Sequence, residues 1–327
     1  MKSLMTSQEA AELIRAGKKL LISGDEQLLA ALPRGEWIGG TIPYFMSEEG
    51  GLCTHDRVQV AELPDFVTNP TIKLYGPPQL SHIPADYKPN GFSYVVLPAF
   101  SEAHLLFAQE CSGWPGIFDR PLLGWIAGIN LKDLGRLQPK VFNGQTGESS
   151  STQAAVMHVE LPEHKFARVN ILNLFEQGDG DIIAFPTEGF SATECFVNGR
   201  KQNLAEYLET QAIGLDRPLV ADYMGAMVNV SFQKIDKLAK RVDFYAPVFT
   251  GVEYKIAAPL GNYEQRFGKE IAARNVDPVF TCNCILNYLY ANLEGKKTGS
   301  IVGPITFGEI AYMLLNQTMV YLTFEDK

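Results

Sequence analysis

The residues with the most chemical promise lie near the C-terminus. Thr306, Glu309 and Asn316 belong to an apolar, glycine-bearing stretch, Gly303-Pro304-Ile305-Thr306-Phe307-Gly308-Glu309-Ile310, which runs into residues 316–324. A carboxylate in such surroundings must be paired, hydrogen-bonded or protonated, because an uncompensated buried charge is expensive. Glu309 therefore has two readings: an acid that anchors a ligand amine or guanidinium, or one that caps the turn before the last strand. Upstream, Cys282-Asn283-Cys284 stands where an apolar strand gives way to a helix. A thiol near a helix N-terminus can become acidic, hence nucleophilic or metal-binding. Two cysteines supply only half the ligands of a structural zinc site. Packed, inert thiols are the simpler reading, with Cys282 as nucleophile the alternative.

His158 and Glu160 alternate onto one strand face, with Glu163 and His164 just beyond. Their spacing fits no strong zinc pattern, so a polar strand face and its loop explain them more simply. His55 and His104 are the remaining candidates for axial haem ligands, and no haem-attachment motif accompanies them. The chain carries no Gly-x-Ser-x-Gly, phosphate loop, Gly-x-Gly-x-x-Gly or His-Glu-x-x-His. Catalytic groups can be dispersed in sequence, so an enzyme stays open.

These groups must be held by elements that the sequence marks out. Thr6-Ser7-Gln8-Glu9 is a capping box, opening a helix over residues 7–16 that Gly17 stops. Helices are also expected over 25–32, 102–112, 204–212, 263–274 and 285–293. Strands are expected over 20–22, 37–42, 58–63, 72–75, 92–97, 141–143, 154–160, 181–185, 194–197, 228–232, 242–244, 248–256, 279–282 and 316–324. Residues 77–91 read as a proline-rich connector and 147–153 as a mobile loop. The last strand is apolar on both faces and should be central and covered twice. Strands and helices alternate amid hairpin signals, which points to an α/β to α+β fold with mixed sheets flanked by helices.

Three segments repeat one pattern of apolar residues, a glycine, a small residue and another apolar group: 38–42, 123–128 and 302–308. Chance recurrence is one reading. The other is a duplicated unit whose glycine corners meet around a shared cleft, with Thr41 near it.

At 327 residues the chain suits two domains or two related halves, divided here as 1–165 and 166–327. A net charge of −9 argues against a nucleic-acid or anionic-membrane partner. Five scattered cysteines do not form a disulfide framework. The N-terminus lacks an apolar signal core, and no run of ~18 apolar residues appears. The chain reads as a cytoplasmic protein.

The order of features resembles the FIST family, a sensory domain of bacterial signalling proteins and some eukaryotic F-box proteins. The resemblance spans most of the chain. It is carried by Val279-Phe280-Thr281-Cys282-Asn283, a helix, residues 303–310, and Asn316-Gln317-Thr318 entering the final strand. Cys195-Phe196-Val197-Asn198-Gly199-Arg200 with its following helix resembles the start of the C-terminal FIST half. Residues 122–127 with Val141-Phe142-Asn143-Gly144 resemble the end of the N-terminal half. The segment before Ile38 is shorter than the family's, and Trp125 and Pro304 replace small residues, as in a divergent subgroup. The resemblance implies a layered α/β/β/α fold of two halves and a sensor of small ligands such as amino acids; some members bind haem. The chain has no kinase, cyclase, methyl-acceptor or F-box segment, so output would come from a separate signalling partner protein. The expected ligand-binding residues are Glu309, Asn316, Thr306, Asn283, Cys282 and Thr41, in a cleft between the halves.

Overall fold

Three strand–helix–strand units organise the computed structural model, which describes residues 3–223 and 225–327. The first joins Leu20–Gly24 to Trp37–Thr41 through the helix Glu26–Ala30. The second joins Gly91–Pro98 to Leu122–Ala127 through Glu102–Glu110. The third joins Phe280–Cys284 to Gly303–Thr306 through Ile285–Tyr290. In each unit the two strands pair in parallel, a geometry that requires a crossover connection. The second strands are the three glycine-bearing segments of the sequence. Gly39 lies opposite Ile22 and Gly124 opposite Val95. A Cβ on either glycine would run into the opposing residue's carbonyl oxygen, and Gly303 stands in the same relation to Thr281. The repeated glycine thus has one cause: the partner backbone comes too close for a side chain.

Each unit sits in its own six-stranded sheet. The first sheet runs Leu4–Met5, Val58–Glu62, Leu20–Gly24, Trp37–Thr41, Val141–Asn143, Glu148–Ser150. The second runs Met313–Leu315, Glu309–Ala311, Leu122–Ala127, Gly91–Pro98, Ala154–Glu160, Thr68–Tyr75. The third runs Lys165–Asn173, Thr318–Asp326, Phe280–Cys284, Gly303–Thr306, Tyr44–Ser47, Gly50–Cys53. The fold is therefore α+β with mixed sheets flanked by helices.

The second and third sheets face each other. Tyr94 meets Phe280 edge-on at 5.0 Å between ring centroids, and Phe92 meets Phe324 at 5.7 Å. Helix Glu102–Glu110 closes the far side of the second sheet, with Phe107 in one cluster with Val95, Leu97, Leu122 and Ile126. Helix Tyr263–Arg274 packs Tyr263, Phe267 and Ile271 into the main core, and Arg274 reaches the Tyr321 hydroxyl on the last strand. The last strand, Thr318–Asp326, lies between Lys165–Asn173 and Phe280–Cys284. Its alternating side chains are thus taken up on both faces, as its two-sided apolar pattern requires.

The hydrophobic cores divide the chain differently from 1–165 and 166–327. Hairpin Tyr44–Ser47 with Gly50–Cys53 extends the third sheet, and hairpin Glu309–Ala311 with Met313–Leu315 extends the second. Each half thereby completes the other's sheet, and both contribute to one core. Residues 183–256 instead form a β-rich module around helix Leu204–Thr210, with a core of its own. Strand periodicity shows which face is apolar but not which strand lies alongside, so this exchange has no signature in sequence. Two local expectations also change. The stretch expected to be loop, 147–153, contains the short edge strand Glu148–Ser150, and the proline-rich connector winds into the 3-10 helix Pro77–Asp86. Among the described residues, no helix is long and apolar enough to cross a membrane.

Candidate functional site

Glu309 lies directly opposite Trp125 in the ladder that joins the C-terminal hairpin to the second sheet. Residues directly opposite in a ladder share a sheet face, so both side chains point toward the third sheet. Glu309 is fully buried. Its Oε2 accepts from the Thr318 backbone N–H at 3.3 Å and hydroxyl at 2.9 Å, and its Oε1 lies 3.2 Å from the Thr306 hydroxyl. Burial pushes its carboxyl up to about 8; the Thr318 and Thr306 hydrogen bonds and the Cys284 thiol only partly offset this. The Thr306 hydroxyl proton has competing acceptors in the Gly308 and Asn283 carbonyls, at 3.1 and 3.4 Å. A protonated Glu309 can donate to Thr306 and free that proton for Gly308. The acid thus ties the last strand to the third unit's second strand.

Asn283 extends this polar knot. Its Oδ1 accepts from the Cys284 N–H at 2.8 Å and from Asn287 Nδ2 at 2.9 Å, and its amide lies 3.3 Å from the Tyr263 hydroxyl. The Asn287 Oδ1 is buried without a hydrogen-bond partner among the described residues, and Asn287 lines a pocket of about 250 Å³ with Tyr263, Tyr290, Arg217 and Gln317.

The other expected residues have separate tasks. Asn316 accepts from the Asn229 amide through its carbonyl and from the Ser231 N–H through its side chain, which clamps the β-rich module to the body. Thr41 accepts from the Lys140 N–H at 2.9 Å and gives its carbonyl to the Gly128 N–H at 2.7 Å, joining the first unit to the second. All six expected residues are buried, and none lines a described cavity.

Cys282 does not present the accessible, acidic thiol that its reading as a nucleophile calls for. Its Sγ is enclosed, 3.6 Å from the Gly124 carbonyl, and burial drives the thiol well above its ordinary value. Thiolate, the reactive form, is therefore suppressed. Cys284 shares this environment. His158 is sandwiched between the Ser93 hydroxyl at 2.7 Å and the Tyr75 hydroxyl at 2.9 Å. His104 is buried in a helix, whereas His55 is exposed and bonded to Asp25 at 2.5 Å. Among the described residues, no three His, Cys, Asp or Glu side chains are grouped to hold a metal ion.

A cleft of about 540 Å³ opens where the first sheet meets the third. One wall comes from Leu21, Ser23, Gln59 and Ala61, the other from residues 276–281 and 300–304, and Tyr94 and Trp125 form the floor. It therefore lies between the two halves of the sequence. Strand Val58–Glu62 turns Val58 and Val60 into the small core beneath the first helix. Alternation then turns Gln59 and Ala61 the other way, toward the cleft. Ser23 is opposite Gln59 in the ladder and shares that face. Gln59 is only 4% exposed, yet its Oε1 has no hydrogen-bond partner among the described residues. On the floor, Trp125 Nε1 donates to the Tyr94 hydroxyl at 2.7 Å. Gln59, Ser23, Tyr94 and Trp125 are cleft residues that sequence reasoning missed. The Val-Gln-Val-Ala alternation was the available signal, but it equally describes a strand with one face in solvent.

Glu309 is linked to this cleft through Trp125, its partner across the ladder. The buried acid holds the strands behind the floor, and the cleft residues face the opening. No curated protein and no solved structure matches the chain. Residues 5–325 match DUF6976, described as a family of unknown function, and the chain belongs to that family.

Proposed function

We propose that the protein is a small-molecule-binding sensory module, FIST-like in character, that holds its ligand in the cleft between its halves. The observation that carries this reading is Gln59. An acceptor removed from water and left unpaired costs about 1–3 kcal/mol, and the residue that carries it lines a cavity large enough for a metabolite. A ligand donor on Gln59 Oε1 recovers that cost. The volume, the aromatic floor and the position between the two halves fit the same role. The sensory part of the reading draws on the FIST resemblance and on one route through the fold. The hairpin that begins at Glu309, behind the cleft floor, continues to Tyr312, whose ring meets the exposed Phe118; Phe307, just before it, meets the exposed Phe100. Phe100 and Phe118 are 57% and 58% exposed, two apolar side chains that a separate signalling protein could cover. A cytoplasmic setting accords with five cysteines that are all free thiols.

The test is a thermal-shift screen of metabolites against the wild-type chain and Ala61→Phe, which fills the cleft from its wall. The reading expects at least one compound to raise the wild-type melting temperature and to leave Ala61→Phe unmoved, with both proteins folded by circular dichroism. Equal shifts in the two proteins, or no shift with any compound class, contradict it.

A further inference from the structure

We propose that Cys53, His55, Asp25 and Asn130 form an acyl-transfer centre, in which the Cys53 thiol takes the acyl group of an uncharged ester or thioester. The side chains arrive from three different sheets. Asp25 directly follows Leu20–Gly24, the first parallel strand of the first unit. Asn130 lies just beyond Leu122–Ala127, the second parallel strand of the second unit. Cys53 ends the strand Gly50–Cys53 at the edge of the third sheet, and His55 follows it closely. The carboxyl ends of parallel strands are a common place for sites in such units. None of these residues lines the cleft between the halves, so this inference goes beyond the ligand reading and does not depend on it.

The hydrogen bonds fix the direction of the array. The Lys132 N–H donates to Asn130 Oδ1 at 3.0 Å, and the Tyr44 hydroxyl donates to the same oxygen at 3.3 Å. The amide nitrogen is therefore the end that meets His55 Nε2, at 3.1 Å, and Cys53 Sγ, at 3.6 Å. An amide nitrogen only donates, so Nε2 carries a lone pair and the ring proton sits on Nδ1, bonded to Asp25 at 2.5 Å. That is the tautomer of a general base: a carboxylate orients one ring nitrogen and the other accepts a proton near a thiol. Burial first, then the charges of Asp25 and Glu294, raise the Cys53 thiol; Lys132 and the Tyr44 hydroxyl offset them only in part. The resting sulfur is thus protonated and needs a base before it attacks. The same negative neighbours disfavour an anionic acyl donor. Cys53 and Asn130 are partly exposed and His55 is exposed, so the array is open to solvent.

A substrate carbonyl oxygen competes for the Asn130 N–H groups. This releases His55 Nε2 to withdraw the Sγ proton as the sulfur attacks the carbonyl carbon. A carbon–sulfur bond forms, and the Asn130 amide holds the developing oxyanion. The adduct then collapses: the bond to the leaving oxygen or sulfur breaks, and the leaving alcohol or thiol takes the proton from His55. Water, deprotonated by His55, attacks the acyl-Cys53 thioester, releasing a carboxylic acid and restoring the thiol.

The experiment treats the full chain with p-nitrophenyl acetate and reads p-nitrophenolate release and intact mass. The wild type should acquire an acetyl group on Cys53 and turn over, and Cys53→Ala should do neither. His55→Gln should slow acylation at pH 7 roughly a hundredfold. The gap should close at high pH, where the thiol ionises unaided. Asp25→Asn, a positioning residue acting through His55, should slow acylation at pH 7 with the same closing gap, which a damaged fold does not produce. Asn130→Ser keeps a capping hydroxyl for the turn at 131–133 and removes the amide. It should slow acylation but not alkylation by iodoacetamide, which develops no oxyanion. These three residues lie at the surface, so melting temperatures should stay near that of the wild type. No acetylation of the wild type, or acetylation that persists in Cys53→Ala, overturns the proposal. So does His55→Gln reacting as fast as the wild type at pH 7. Asn130→Ser slowing both reactions equally overturns the oxyanion role. Release that stops at one equivalent overturns the hydrolytic step and leaves Cys53 as an acyl acceptor only.

Discussion

Replacing Glu309 with glutamine should make the protein's stability less sensitive to alkali. The side chain is fully buried and its carboxyl is pushed up to about 8 from an ordinary 4.5. The folded state therefore keeps a proton that the unfolded chain releases. Between those two values the folded state binds more protons than the unfolded one, so stability falls as pH rises. The contribution is fully present below pH 4.5 and is lost by about pH 8. At ~1.4 kcal/mol per pH unit, the gap from 4.5 to about 8 amounts to ~5 kcal/mol, an upper bound for one carboxyl. Glutamine keeps the shape, can donate to Thr306 and accept from Thr318, and does not titrate. Urea unfolding of both proteins from pH 5 to 9 isolates this one group, because every other titration cancels in the difference. Glu309→Gln should match the wild type near pH 5 and exceed it by several kcal/mol at pH 9. Parallel stability curves across that range would refute the buried-acid account.

Four further outcomes follow from other parts of the fold. Gly124→Ala places a Cβ against the Val95 carbonyl and should cost ~3 kcal/mol or more by denaturant unfolding. Conversely, Gly113→Ala, where a Cβ meets nothing within 4 Å, should leave stability nearly unchanged. Cys282 and Cys284 should resist alkylation in the native protein and label fully in denaturant; fast native labelling would contradict their enclosure. Burial holds His158 down at about 4, so it contributes stability that is lost as pH falls from 6.5 toward 4. His158→Gln should flatten acid unfolding in that window, and an unchanged acid limb would count against the Ser93–Tyr75 sandwich.

Much of the fold was legible because local signals were strong. The capping box at Thr6 forms as read, with Thr6 and Glu9 bonded reciprocally. The helix expected over 263–274 has those bounds, capped by Asn262. The repeated glycine pattern did mark equivalent strands, since each glycine reports a close parallel neighbour. What stayed hidden depends on pairing across long sequence distances. The Tyr44–Ser47 hairpin joins Gly303–Thr306 from more than 250 residues away. No local pattern encodes that partner. The site was legible in part. Glu309 was recognised as a buried acid, because a lone carboxylate in an apolar run has few other options. Its depth behind the floor was not, because sequence shows that a residue is buried but not how far it lies from the nearest opening. Gln59 escaped for the opposite reason. A glutamine alternating with valines looks solvated until another sheet is found across from it.

The central claim is that Gln59 Oε1 waits for a donor carried by a ligand in the cleft. The most direct measurement is a crystal structure grown with the tightest-binding compound from the screens. The account predicts that compound between the first and third sheets, with a nitrogen or hydroxyl at hydrogen-bond distance, about 2.7–3.2 Å, from Gln59 Oε1. A compound bound elsewhere, or a Gln59 already paired with another protein group, would contradict it.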